Sequence, residues 1–269
     1  MKLRIAWTLA VVPPLLLCAC TAQPGDSPAT TRAAVQERAD RFLALVNPAY
    51  QALYTVAQEA DWAAATDVSP EHDAASAAAN KTRAAFTGNP ALITEAKDLL
   101  SREADLNAVT VRQLRRVLLN AAEGPMTDPD LVAARIDAET AQASTLNGFE
   151  FRLAGRAVTP NEIDDRMVRL TDLGERLAVW EASKQSGPAL KPGLVKLQAL
   201  RNGVARELGY PDYFALQAAD HDMTTRDMLA LHETFLVDLR PLYLQLHTWA
   251  KHELAARYGR PVPDRIPAH

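Results

Sequence analysis

Apolar residues recur every three or four positions through most of the chain from Arg32 onward. This spacing places them on one face of an α-helix. The clearest case is the stretch 225–258, whose apolar positions form one stripe: Met228, Leu231, Phe235, Leu239, Leu242, Leu246 and Trp249. No alternating run of β-branched residues is long enough for a central strand. The pattern therefore predicts an all-α fold, a bundle of long helices.

Capping residues mark where two of these helices begin. Ser69 comes before Pro70 and two acidic residues, which suits an N-cap, a first helical position and the positive end of the helix dipole. Thr159 comes before Pro160, and Glu162 follows three residues after Thr159, as in a capping box. Both sites predict helix starts.

The other helices are predicted from periodic segments that end near glycine or proline. They cover about 91–105, 110–122, 128–146, 193–208 and 225–258, the last ending at Gly259. The helix that starts after Thr159 is expected to continue through Met167 to Trp180. Pro48 is predicted to start a new turn, and Pro241 is predicted to kink or break the last helix.

The N-terminal residues have the pattern of an export signal. Lys2 and Arg4 precede an apolar run, Ile5 to Leu17, which is too short to span a bilayer as a permanent helix. The run closes with "LCAC", which resembles a bacterial lipobox, and the cysteine that such a motif lipidates is Cys20. A plain signal peptide cut near Ala22 is the alternative.

These features divide the chain into three parts. Residues 1–20 are interpreted as a lipoprotein signal peptide, 21–31 as a flexible tether and 32–269 as a helical domain. Both cysteines lie within residues 1–20, so the mature domain cannot form an internal disulfide. An acylated Cys20 would hold the protein on a membrane of the bacterial cell envelope, facing the periplasm or the cell surface.

The charge composition argues against a nucleic-acid-binding protein. The chain has 29 Lys and Arg against 33 Asp and Glu, a formal net charge of -4 and a pI near 5.9. The most basic stretch contains Arg112, Arg115 and Arg116, and it reads most simply as the exposed face of a helix. Without a broad positive surface, no nucleic-acid partner is expected.

The six histidines do not form a recognisable zinc motif. A zinc-protease helix requires H-E-x-x-H, because histidines at i and i+4 lie on the same face and can share one ion. His232 and His252 are each followed by glutamate, but Leu236 and Ala256 stand where the second histidine would be. His247 is five residues before His252, so the two point in different directions around a helix. All are interpreted as surface or groove histidines.

Other catalytic signatures are also missing from the sequence. It contains no G-x-S-x-G, no Walker A motif and no G-x-G-x-x-G. If Cys20 is lipidated and Cys18 is removed with the signal peptide, no free thiol is left. The residues by themselves predict no catalytic residue and no metal ligand in this chain, and substrate-binding residues stay unknown.

Several separated stretches resemble one family of peptidases, in matching order. They are "EADWAAATDVSPEH" at 59–72, "WEASKQSG" at 180–187, "ELGYPDY" at 207–213, "LRPLYLQLHTWAKHELAARYG" at 239–259 and "IPAH" at 266–269. Together they are similar to segments of the angiotensin-converting-enzyme-like peptidyl-dipeptidases. The resemblance is strong over about 176–269 and fainter over 40–75.

This resemblance implies an all-α, gluzincin-type zinc peptidase whose N-terminal helices form a lid over a deep channel. Members of the family bind zinc through H-E-x-x-H and a later glutamate, and they remove dipeptides from the C-termini of peptides. Those ligands follow the "IPAH" segment in the family, and no residue of this chain matches one. The resemblance therefore predicts the N-terminal part of an exported zinc peptidyl-dipeptidase, inactive as this chain alone.

The resemblance also predicts an exposed apolar stripe on those helices that would pack against the rest of the peptidase. The alternative is a stand-alone helical lipoprotein that binds peptides or a protein partner without catalysis. A purely structural envelope protein would require the resemblance to be a coincidence.

Overall fold

A computed structural model describes residues 28–269, which form helices and one short β-hairpin. The helices, in chain order, are α1 (Pro28–Thr66), α2 (Pro70–Thr87), α3 (Pro90–Ser101), α4 (Ala108–Ala122), α5 (Pro129–Asn147), α6 (Pro160–Arg169), α7 (Leu173–Ser183), α8 (Ser186–Glu207), α9 (Tyr213–Asp220) and α10 (Thr225–Tyr258). A short 3₁₀ helix, Glu103–Asp105, lies between α3 and α4. The strands are β1 (Phe151–Leu153) and β2 (Arg156–Val158). The predicted all-α fold class is confirmed.

The first hydrophobic core lies between α1, α3 and α4. Its buried residues are three or four positions apart within each helix: Ala39, Leu43, Val46, Ala96, Leu99, Leu114 and Val117. Leu99 and Leu114 are fully enclosed. Burial of each such leucine contributes about 1.5–3 kcal/mol, so this cluster anchors the start of the fold.

A second core joins α2, α5 and α8 through Ala84, Val132, Ile136 and Val204. The loops at its edge approach each other closely. A Cβ atom at Gly88 would lie 1.9 Å from the carbonyl oxygen of Gly124. The Gly88 carbonyl accepts a hydrogen bond from the Met126 amide at 2.9 Å. Gly88 therefore allows the α2–α3 and α4–α5 loops to touch.

The β-hairpin, α6 and α7 form a smaller packed unit. Val158, Ile163 and Val179 are its buried centre. The strands pair antiparallel, with Leu153 opposite Arg156, across a two-residue turn. Both turn residues, Ala154 and Gly155, have positive φ angles, 50° and 78°, as the tight turn of a hairpin requires. The sequence pattern did not predict this hairpin, because each strand has only three residues.

Helices α2 and α6 begin at the capping residues that the sequence predicted. The Ser69 hydroxyl accepts the His72 amide at 3.2 Å at the start of α2. Thr159 and Glu162 form the predicted capping box of α6. These interactions satisfy amides that the first helical turn leaves without partners.

Three predicted boundaries were wrong. The helix expected to run from Thr159 to Trp180 is two helices, because Leu170 is extended and the Asp172 carboxylate caps α7 by accepting the Glu175 amide at 2.9 Å. The segment predicted at 193–208 starts earlier, as α8 at Ser186. Helix α1 continues through Pro48. Buried residues on both sides of that proline pack on other helices, which keeps the helix direction despite the missing amide.

Helix α10 follows α9 and is the last helix described. Thr224 and Asp227 form a capping box at its start, and Gly259, at φ 59°, ends it in the left-handed conformation. The predicted extent of this helix is confirmed, but Pro241 does not break it. Within residues 28–269, no helix combines the length and hydrophobicity needed to cross a bilayer.

Candidate functional site

Helix α10 carries most of its large apolar side chains on the outside. Over 34 residues, Ala255 is its one buried residue. Eleven large hydrophobic side chains of this helix, here called the α10 surface, are between 38% and 72% exposed: Leu229, Leu231, Phe235, Leu236, Val237, Leu239, Leu242, Tyr243, Leu244, Leu246 and Trp249. The predicted apolar stripe is therefore present and exposed.

The α10 surface is wider than one stripe. Phe235, Leu242 and Trp249 are seven residues apart and form one row along the helix. Leu236 and Tyr243 form a second row, about 100° farther around the axis. These rows together give an apolar face about 100° wide, the width that a helix normally packs against a core.

The size of this surface also separates it from ordinary exposed hydrophobics. Eleven side chains exposed by about half present an apolar area on the order of 1,000 Å². The largest apolar patch on a typical monomeric protein covers only about 300–600 Å². The α10 surface therefore has the character of a surface that binds another protein segment.

The histidines do not assemble a metal site. The His232 Nδ1 atom lies 2.7 Å from the Met228 carbonyl of its own helix, and the His247 ring stacks on Tyr243 with centroids 5.6 Å apart. His252 is exposed. Among residues 28–269, no group of three or more His, Cys, Asp or Glu side chains could hold a metal ion.

A cluster of charged residues lies where α5 meets α8. The Glu139 carboxylate accepts a hydrogen bond from Arg135 Nη1 at 2.6 Å and another from Arg201 Nε at 2.8 Å. Arg135 is only 8% exposed, and its Nε atom has no hydrogen-bond partner. The Arg201 guanidinium also lies over the Tyr213 ring, 5.1 Å from its centroid. Glu139 therefore neutralises a buried arginine and is not a free base.

Neighbouring groups in this region have shifted pKa values. Partial desolvation raises the pKa of the Glu123 carboxyl, and the positive charges of Arg83 and Arg135 oppose this shift only in part. Burial likewise raises the pKa of the Tyr50 and Tyr213 hydroxyls. The hydroxyls of Thr127 and Ser76 donate to other carboxylates, those of Glu207 and Asp61. We assign no catalytic role to the cluster.

Sequence reasoning missed this charged cluster. Arg135 and Glu139 are four residues apart, which signals a helix pair, but Arg201 lies 62 residues beyond Glu139. Only the packing of α5 on α8 brings the three together. The one site residue that the sequence did predict, Cys20, lies outside the described residues.

Comparison with known proteins identifies the family. A model of the M2 peptidases, described as angiotensin-converting enzyme, matches residues 33–269. The chain belongs to this family. The match covers α1 from its second turn onward and every later element, including the full length of α10.

Membership in the angiotensin-converting enzyme family confirms the resemblance found in the sequence and supports a peptidase-related function. The matching stretches lie far apart along the fold. Residues 59–72 join α1 to α2, 180–187 join α7 to α8, 207–213 join α8 to α9, and 239–259 belong to α10 and its cap. The family relationship is therefore distributed over the whole helical body and is not confined to one motif.

Proposed function

We propose that this chain supplies the helical N-terminal part of an exported, zinc-dependent peptidyl-dipeptidase, and that it is inactive alone. The α10 surface is the observation that carries the proposal. A helix with so many exposed apolar side chains, inside a segment that matches a peptidase family, is best explained as a helix that packs within the whole enzyme. The remaining part of the peptidase would cover it.

The zinc ion would be held by residues outside these 269. A zinc site needs three protein ligands arranged around an open position, and the described residues offer no such set. The half-matches at His232 and His252 do not fit the ion, because each lacks the second histidine one turn later. When bound, zinc supplies the activated water for peptide hydrolysis. We assign no step of that chemistry to residues of this chain.

Export and anchoring form a separate part of the proposal. The basic and apolar N-terminal residues and the "LCAC" motif support cleavage before Cys20 and its lipidation. In bacteria that express the chain with labelled palmitate, the label is expected on the wild-type protein and not on Cys20→Ser. Labelling of Cys20→Ser, or release of the unlabelled wild-type protein from the envelope, would contradict lipid anchoring.

Co-expression tests whether the α10 surface binds the zinc-bearing part of the peptidase. The nucleotide sequence downstream of codon 269 is expected to encode H-E-x-x-H, in this frame or another. The encoded segment is expected to co-purify with the chain and to yield dipeptide release from a test peptide. The double variant Leu239→Asp with Leu246→Asp should abolish both, whereas Leu146→Asp, at an exposed leucine outside α10, should not.

Two outcomes would contradict the proposal. One is a downstream region that encodes no zinc motif. The other is a complex whose formation and activity are unaffected by the α10 double variant. The first of these results, together with stable monomeric behaviour of the chain, would favour the alternative of a stand-alone helical lipoprotein that binds peptides or a protein partner.

A further inference from the structure

The segment that follows α10 lies against the start of α7. Residues 260–269 have no helix or strand and contain three prolines. Together with α7 and the last turns of α10, they enclose a largely apolar cavity of about 300 Å³. Leu173 and Arg176 line it from α7, Leu254 and Tyr258 from α10, and Ile266 from the segment itself. Apolar contacts alone would permit this segment to slide, because they have little directional preference.

The side chain of Arg176 makes directional hydrogen bonds that apolar contacts cannot provide. Arg176 Nε donates a hydrogen bond to the main-chain oxygen of His269 at 2.8 Å. Its Nη1 atom donates to the Leu170 carbonyl at 2.9 Å and also to the Met167 carbonyl. Met167 and Leu170 belong to the last turn and the C-cap of α6, where helix geometry leaves carbonyls without amide partners. A single guanidinium therefore joins the end of α6, the start of α7 and residue 269.

Arg176 has no aspartate or glutamate side chain within ion-pair distance in the described part of the chain. Its hydrogen bonds to protein go to main-chain oxygens, and in the 269-residue chain the oxygen of His269 belongs to the terminal carboxylate. A rigid guanidinium fork fixes the directions of several acceptors at once, which a flexible ammonium does less well. The hydrogen bonds of Arg176 therefore fix the positions of main-chain atoms in addition to placing a positive charge beside them.

We infer that Arg176 is a positioning residue, which fixes the backbone of residues 266–269 against α6 and α7. The functional value of this inference rests on the proposed function, because the family resemblance places the zinc-bearing part after the "IPAH" segment. Arg176 would then set the direction in which that part joins the helical body. The α10 surface supplies the contact area, and Arg176 supplies the orientation.

Trypsin digestion of the folded 269-residue chain tests the inference without zinc or peptide substrate. Arg265 is exposed and is followed by Ile266, so cleavage there releases residues 266–269 once the segment leaves its place. The bond after Arg260 precedes proline and resists trypsin. Mass spectrometry of the released tetrapeptide measures how often residues 266–269 detach, because cleavage follows local opening.

We expect Arg176→Ala to release the tetrapeptide roughly tenfold faster than the wild type, as the loss of a charge-assisted contact to this segment predicts. Arg176→Lys should restore part of the protection. Arg169→Ala is the matched control, because Arg169 is an exposed α6 arginine that pairs only with Asp165. Cleavage after Lys251, within α10, should be unchanged in all variants.

A release rate for Arg176→Ala within about twofold of the wild type would overturn the inference, since one lost contact of this kind changes local opening by more than that. An equal increase in cleavage after Lys251 would also overturn it, because that result indicates general unfolding. Neither result depends on whether the chain belongs to an active peptidase. Failure of this test and failure of the proposed function are thus distinguishable.

Discussion

The Glu139 carboxylate compensates the buried positive charge of Arg135. The side chain of Arg135 is 10% exposed, and the Glu139 carboxylate that accepts its hydrogen bond is 28% exposed. Removal of one member of a buried ion pair leaves a charge without compensation. Glu139→Ala is therefore expected to lower the free energy of unfolding by about 2–4 kcal/mol, measured by urea denaturation.

Asp137→Ala is the matched control for that change. Asp137 lies on the same helix and pairs with Lys81, but its side chain is 55% exposed. Exposed pairs contribute only about 0–1 kcal/mol, so this variant should unfold almost like the wild type. Equal losses of stability in the two variants would contradict the interpretation of the α5–α8 cluster.

Residue-scale chemistry was predictable from sequence only where the partners are close along the chain. Ser69 and Thr159 cap their helices through atoms three residues away, so their roles can be read directly. Arg201 reaches Glu139 across 62 positions, and Arg176 reaches residue 269 across 93. Local spacing carries no signal for such contacts, which depend on how the helices pack.

The capping box of α6 links the stability of one element to pH. The Thr159 amide donates a hydrogen bond to the Glu162 carboxylate at 2.9 Å, and with nearby Arg156 it lowers the pKa of that carboxyl below its ordinary value of 4.5. The ionised form is therefore favoured in the folded state. Its stabilising effect is present above pH 4.5 and is lost as the pH falls through the lowered folded pKa.

Glu162→Gln isolates this effect, because glutamine can still cap the helix but cannot ionise. At pH 7 the variant is expected to melt at a lower temperature than the wild type. The difference should shrink below pH 4.5 and disappear at lower pH, as followed by circular dichroism. A difference of the same size at pH 7 and at about pH 3 would contradict the role of the carboxylate charge.

At the scale of elements, the sequence pattern predicted helix content better than helix boundaries. The long periodic stripe of α10 and its ends at Thr225 and Gly259 were predicted as they occur. The break at Leu170 was missed because the apolar spacing continues across Leu170, although the helical backbone is interrupted there. Asp172 could have signalled the new start, since an aspartate three residues before Glu175 is a typical N-cap.

At the scale of the whole molecule, several packed cores coexist with one helix that lacks cover. The buried apolar residues of the described chain lie between α1 and α9, with Ala255 as the exception. Helix α10 contributes Ala255 alone. The proposed function predicts this contrast, because it makes α10 an interior helix of a larger peptidase. The stripe could be predicted from the sequence, but its exposure depends on how the other helices pack.

The proposed function makes this chain part of a zinc peptidase whose metal site is built from other residues. The most direct test is an assay of the purified 269-residue protein, supplied with zinc, on a peptide with a free C-terminus, with metal content measured in parallel. We expect no dipeptide release above the buffer rate and no stoichiometric zinc. Release of dipeptides by a protein that carries one zinc per chain would contradict the proposed function.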